Sequence, residues 1–157
     1  MKIIKTIITL SCMNLLIACG GPASDTTVPE AEPADATSVD IGDHIVHFSA
    51  QSTDQLPPEV ARAYNFVRSK NRAMLTVAVL EEGTNAASSA EVTVKTRNLA
   101  GQLKNVAMRT ITEGDSIYYI GETAVANREI LIFDITITPE GTSKSTDVRF
   151  KREFFTN

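Results

Sequence analysis

The sequence predicts an all-β domain, an antiparallel sandwich of about seven short strands with one short helix near residues 58–64. Three observations predict it. Apolar residues recur with period two in one stretch after another beyond residue 41. Clusters of Gly, Asn, Asp and Pro separate those stretches. Only one segment carries helical spacing instead.

Taken in order, residues 43–50 put Val46 and Phe48 on one strand face, with His44 on the same side and His47 opposite. Pro57 to Tyr64 (PPEVARAY) is the helical stretch: proline suits a first turn, and Val60 and Tyr64 share a face. At two turns it is expected to cap one end of the sandwich. Residues 73–80 (AMLTVAVL) align Ala73, Leu75, Val77 and Val79, with apolar neighbours between them, as a central strand would. Glu81 to Asn85 is a turn cluster. In residues 90–96, Ala90, Val92 and Val94 face in while Glu91, Thr93 and Lys95 face out. Val106 and Met108 mark a short strand, and Glu113-Gly114-Asp115 a turn. Ile117 and Tyr119 then alternate with Tyr118 and Ile120, so one tyrosine is expected in the core and the other on the surface. Leu131, Phe133, Ile135 and Ile137 oppose Asp134, Thr136 and Thr138; Pro139-Glu140-Gly141 turns the chain. Val148, Phe150 and Phe154 complete the set against Arg149, Lys151 and Glu153. Short strands in this number favour an immunoglobulin-like sandwich, with a barrel as the second architecture. The chain has no Trp and only two cysteines, both near the amino end, so the tryptophan–disulfide pin of antibody domains is missing.

The amino end has a different character. Lys2 and Lys5 precede an apolar run from Ile7 to Ala18, a secretory signal in layout and short for a membrane span of about 18 or more residues. Leu16-Ile17-Ala18-Cys19 resembles the lipobox of bacterial lipoproteins. Residues 1–18 are therefore expected to be removed, with Cys19 lipidated; two or three acyl chains anchor stably where one does not. The alternative site, Leu10-Ser11-Cys12, has too short an apolar stretch before it. Lipidation would leave the mature chain without a thiol for a disulfide, a metal or nucleophilic catalysis. By the sorting rule of Gram-negative lipoproteins, Gly20 in place of Asp implies the outer membrane, on the periplasmic side.

Residues 19–40 contain Asp25, Glu30, Glu32, Asp35 and Asp40, no Lys or Arg, and no apolar periodicity, so they read as an extended acidic linker. Residues 41–157 remain as one domain. The chain has 19 acids and 15 Lys and Arg; the linker holds five of the acids and the signal two of the bases, leaving 14 against 13. So balanced a domain predicts no nucleic-acid partner and no attraction to an anionic membrane beyond the lipid anchor. No Gly-rich phosphate loop is present, which argues against a nucleotide, and no cofactor is predicted.

His44 and His47 invite a metal reading, but on a strand they point to opposite faces and no third ligand is spaced to help. No metal site is predicted. Arg68-Ser69-Lys70-Asn71-Arg72 is the densest basic stretch; if extended, its three cations line one face and suit a carboxylate or phosphate. Its bland reading is a solvated strand entry paired with acids such as Glu113. A surface formed by Tyr64, Arg68, Asn71, Arg72 and Tyr118 is the candidate binding surface. Neither Gly-x-Ser-x-Gly nor Ser-x-x-Lys occurs, and no catalytic residue is assigned.

The segments PPEVARAYNFVRSKNRAMLTVAVL, ITEGDSIYYI and REILIFDITITPEG resemble a family of proteobacterial exported proteins, domain of unknown function 4426, over residues from about 42 to 155. The most particular pieces are Ala63-Tyr64, Arg68 to Arg72 and Tyr118-Tyr119-Ile120. The resemblance implies a Gram-negative source and a compact periplasmic β domain; it brings no reaction or ligand, and a lipobox departs from the plain signal peptide usual in the family. The leading expectation is a non-enzymatic binding or interaction module with an envelope protein partner, by fold-level analogy. A hydrolase using His44 or His47 with a nearby Ser or Asp, and a small-ligand carrier with a pocket between the sheets, are the alternatives.

Overall fold

A computed structural model describes residues 37–157. The signal stretch, Cys19, Gly20 and the acidic linker up to residue 36 lie outside the described residues. The strands are β1 (Ser38–Asp40), β2 (His44–Ser52), β3 (Arg72–Glu81), β4 (Ala90–Asn98), β5 (Leu103–Lys104), β6 (Ala107–Glu113), β7 (Ser116–Ala124), β8 (Glu129–Pro139) and β9 (Thr146–Phe154). A 3-10 turn, Thr53–Gln55, and the helix α1, Pro58–Ala63, lie between β2 and β3. No described helix is long and apolar enough to cross a membrane.

All pairings are antiparallel and form two sheets, β1-β2-β3-β7-β6 and β5-β4-β8-β9. Within them, β2-β3-β7-β6 faces β4-β8-β9, which is the A-B-E-D and C-F-G arrangement of an immunoglobulin constant-type domain. The predicted sandwich is thus the observed one, with β1 and β5 added at opposite edges. The fold begins at Ser38, three residues inside the stretch read as linker. Val39 is half-buried against the core and pairs Val46, so one apolar residue between polar neighbours suffices when β2 offers an open edge.

The inward faces meet in one core. Val46 and Phe48 of β2, Leu75, Val77 and Val79 of β3, and Tyr119 of β7 pack on Leu131, Phe133, Ile135 and Ile137 of β8 and Val148, Phe150 and Phe154 of β9. In place of a tryptophan on a disulfide, three phenylalanines pin the sheets together. Phe150 packs edge-on to Phe48 at 5.2 Å and stacks with Phe133 at 5.9 Å between ring centres. Tyr119 adds a polar stitch: its buried hydroxyl accepts the Ala90 amide at 2.6 Å, tying β7 to the first residue of β4. Gly121 faces the same core, and a Cβ there would overlap the side chains of Val106 and Met108, which close the core beneath β7. The outer side of the second sheet is polar beyond Ile130 and Ile132: Asp134 takes Arg97 on one side and Arg149 on the other, and Thr136 donates to Asp147 at 2.7 Å. On the edge strand β9, Asp147, Arg149, Lys151 and Glu153 are all exposed and point away from the core face of Val148 and Phe150.

The helix is where expectation and structure part. Instead of capping an open end, α1 lies over the outer face of the first sheet. There Leu56, Ala61 and Phe66 pack on Met74 of β3 and Ile120 of β7, with Tyr64, Ile111 and Tyr118 at the margin. Those sheet residues alternate with the core set, so the sheet is apolar on both sides at this place. The chain leaves α1 through Asn65, whose φ of 56° puts it in the left-handed region asparagine tolerates. The Phe66 amide reaches back to the Ala61 carbonyl at 2.8 Å and the Asn65 amide to Arg62 at 3.4 Å, a Schellman stop that turns Phe66 down onto the sheet.

Candidate functional site

The segment after Phe66 is held by a single buried hydroxyl. Thr53 Oγ1 lies 2.7 Å from the Val67 carbonyl and 3.1 Å from that of Ser69, and accepts the Ser69 amide at 3.0 Å. This clamp decides where the basic stretch points. Arg68 donates to the Asp54 carbonyl at 2.7 Å, Lys70 to the Asn157 carbonyl at 2.8 Å, and Arg72 pairs with Glu122 at 3.4 Å. The three cations do not line one face; the stretch before β3 is a clamped loop rather than a strand. Asn71 serves the backbone: its amide bonds Ser69 Oγ and its carbonyl accepts Val125 N–H.

Tyr64, Arg72 and Tyr118 do come together on the outer face of the first sheet. Glu122 joins Arg72 to Arg109, 3.8 Å away. Arg109 donates to the Tyr64 carbonyl at 2.8 Å and lies 4.2 Å above the Phe66 ring, a cation–π contact. Burial first, and then the neighbouring Glu113 carboxylate, push the Tyr64 hydroxyl above its ordinary value. Glu113 therefore meets Tyr64, and the basic stretch takes Glu122. Beyond Tyr118 the same face stays uncovered, as an open groove of ≈220 Å3 lined by Thr37, His47, Ser49, Thr76, Ala78 and Tyr118. Arg68 and Asn71 lie apart from it, at the end of the sandwich. Arg109, Glu122 and Phe66 were not singled out from the sequence; pairing of β6 with β7 sets Arg109 opposite Ile120 and Ile111 opposite Tyr118, a signal that needs the register.

His44 and His47 separate as the alternation predicts, His47 exposed in the groove and His44 half-buried on the core side. His44 Nε2 stands 3.1 Å from Ser88 Oγ, which pins the β3–β4 connection to β2. No carboxylate pairs with the ring among the described residues, and the ≈330 Å3 cleft that His44 lines, between the β1–β2 and β8–β9 turns, does not include Ser88. No three His, Asp or Glu side chains gather as a metal site among the described residues. The space between the sheets is filled by the core side chains, and the ≈380 Å3 cleft beside Gln51, Gln55 and Phe155 opens at the β2–β9 edge.

These features define an immunoglobulin-like sandwich with one outer sheet face half covered by a helix and half open. The chain belongs to the DUF4426 family, described as a domain of unknown function, whose profile matches residues 38–157. Among solved structures it is similar to the crystal structure of a DUF4426 family protein from Pseudomonas aeruginosa, with 28% identity and a TM-score of 0.67. That likeness covers 76% of this chain and 94% of the other. No curated protein matches the chain.

Proposed function

We propose that this chain is a periplasmic lipoprotein, anchored to the outer membrane through Cys19, whose sandwich is a non-enzymatic binding module for an envelope protein. The observation that carries the binding reading is the uncovered half of the first sheet's outer face. The other sheet has an outer face laced with ion pairs and hydroxyl bonds, as a solvated surface should be. The groove instead has a floor of small side chains, Ser49, Thr76 and Ala78, with Tyr118 at one end and His47 beside it. A flat floor lets another chain approach closely, and a tyrosine offers a rigid apolar body with a polar tip at little entropic cost. Leu16-Ile17-Ala18-Cys19 and Gly20 support the anchor and its destination.

Both parts have direct tests. Cells fed an alkyne palmitate should label the wild-type chain and fail to label Cys19→Ala. A photo-crosslinking residue at Thr76 should give a discrete adduct in intact envelopes, while the same residue at Glu91, on the other sheet, should not. Equal adduct patterns from the two faces would count against the groove, and palmitate labelling that survives Cys19→Ala would remove the anchor.

A further inference from the structure

The balanced charge of the domain conceals a segregation from end to end. Strand pairing gathers four pieces at one end: the connection 53–71, the β4–β5 turn, the β7–β8 connection 125–128 and residues 155–157. Cross-links confirm the grouping: Val125 N–H bonds the Asn71 carbonyl, Thr156 N–H bonds Asn127, Lys70 bonds the Asn157 carbonyl and Lys104 pairs with Glu129 at 2.7 Å. These connections carry four cations, Arg62, Arg68, Lys70 and Arg128, against two acids, Asp54 and Glu59. None of the four cations makes an ion pair among the described residues. The opposite connections (41–43, 82–89, 114–115 and 140–145) hold Asp43, Glu82, Asp115 and Glu140 against Lys144 alone.

The large exposed apolar side chains sort the same way. Val67 is 62% exposed, Leu99 65%, Leu103 82% and Phe155 61%, and all four sit at the basic end. They are displayed, not frayed. Thr53 clamps the Val67 carbonyl, and Asn98 braces the leucine turn by bonding the Gln102 amide at 3.0 Å and Glu129 at 2.9 Å. Separate apolar tips on braced turns, set among four cations that pair with no carboxylate side chain among the described residues, fit a surface that is negative in its plane and apolar just beneath.

We propose that this end of the sandwich docks on an anionic lipid surface, with Leu99, Leu103, Val67 and Phe155 entering the interface and Arg62, Arg68, Lys70 and Arg128 meeting the head groups. The inference rests on the placement of these side chains and not on lipidation at Cys19. It sets aside the expectation from net charge, because a surface senses the face it meets and not the sum.

The test uses residues Asp35–Asn157, a compact unit with its own core that lacks the anchor. Flotation with vesicles of phosphatidylethanolamine and phosphatidylglycerol should carry the domain upward. Phosphatidylcholine vesicles should not, and added salt should weaken the binding. Arg68→Gln, Lys70→Gln and Arg128→Gln should each weaken partitioning on the order of fivefold. Leu99→Glu with Leu103→Glu should abolish it, and Lys144→Gln at the far end should leave it unchanged, with circular dichroism showing each variant folded. Absence of flotation at low salt would overturn the proposal, as would binding indifferent to these substitutions. So would a dimer in sedimentation that the double leucine variant dissolves, which would assign the tips to a second copy of the chain.

Discussion

Thr53 and Thr96 both bury a hydroxyl, and their surroundings differ. Thr53 Oγ1 has three backbone partners in the loop it clamps, while Thr96 Oγ1, on a residue 2% exposed, has no protein partner. Replacing Thr53 by Val would strip the loop of its anchor and strand buried amide and carbonyl groups, which costs about 1–3 kcal/mol. The same swap at Thr96 exchanges an unsatisfied hydroxyl for a methyl of equal shape beside Phe133, so Thr96→Val should be neutral or stabilise by about 1 kcal/mol. Urea unfolding of the two variants gives shifts of opposite sign if this reading holds; two losses of equal size would refute it. At this scale the sequence is partly legible. Alternation sets Tyr118 and Tyr119 on opposite faces, of which the structure makes Tyr119 the core one, and it separates His44 from His47. The Thr53 clamp leaves no such trace, because its partners lie 14 and 16 residues away along a segment without periodicity.

Among the elements, α1 depends on the residue that follows it. Its six residues are too few to persist alone, so it stands by packing Ala61, and Phe66 just beyond it, on Met74 and Ile120. Phe66 is also the ring beneath Arg109, so Phe66→Ala should cost roughly 3 kcal/mol and loosen the 57–71 segment first. Amide exchange is the measurement: protection lost at Phe66 and Ser69 but kept in β3 is the expected pattern, and uniform loss would contradict it. The long strands are legible because sustained alternation, or an apolar run of strand length as in β3, outvotes any single position. β1 and β5, of three and two residues, are too short to alternate, and only an open neighbouring edge makes them strands. The helix is legible in kind and extent but not in place. Spacing shows which side of a helix is apolar and is silent on which surface receives it; the apolar outward residues Met74 and Ile120 read equally well as a strand buried on both faces.

For the molecule as a whole, two carboxylates tie stability to pH. Burial alone would raise Glu129, but bonds from Lys104, the Ala126 amide and Asn98 hold it below its ordinary 4.5. A hydrogen bond from Arg149, and then Arg97, holds Asp134 below its ordinary 3.8 despite partial burial. Both groups are therefore more acidic folded than unfolded. Their contribution is present above the ordinary carboxylate range and is lost as pH falls through the lower folded values. Unfolding free energy should decline below about pH 4.5, and Glu129→Gln should lower stability at pH 7 while flattening that decline. An unchanged slope in the variant would show that Glu129 does not carry it. The two-sheet architecture also leaves edges, and β9 is one of them. Along its outward side the signs run Asp147 negative, Arg149 positive, Lys151 positive, Glu153 negative, a sequence that reads the same in both directions. Were two copies to zip together antiparallel about Phe150, Asp147 would oppose Glu153 and Arg149 would oppose Lys151, and parallel stacking in register would set each charge on its own kind. A palindrome of charge on an open edge thus disfavours both of these pairings, which hinders two copies of the domain from joining sheet to sheet along β9.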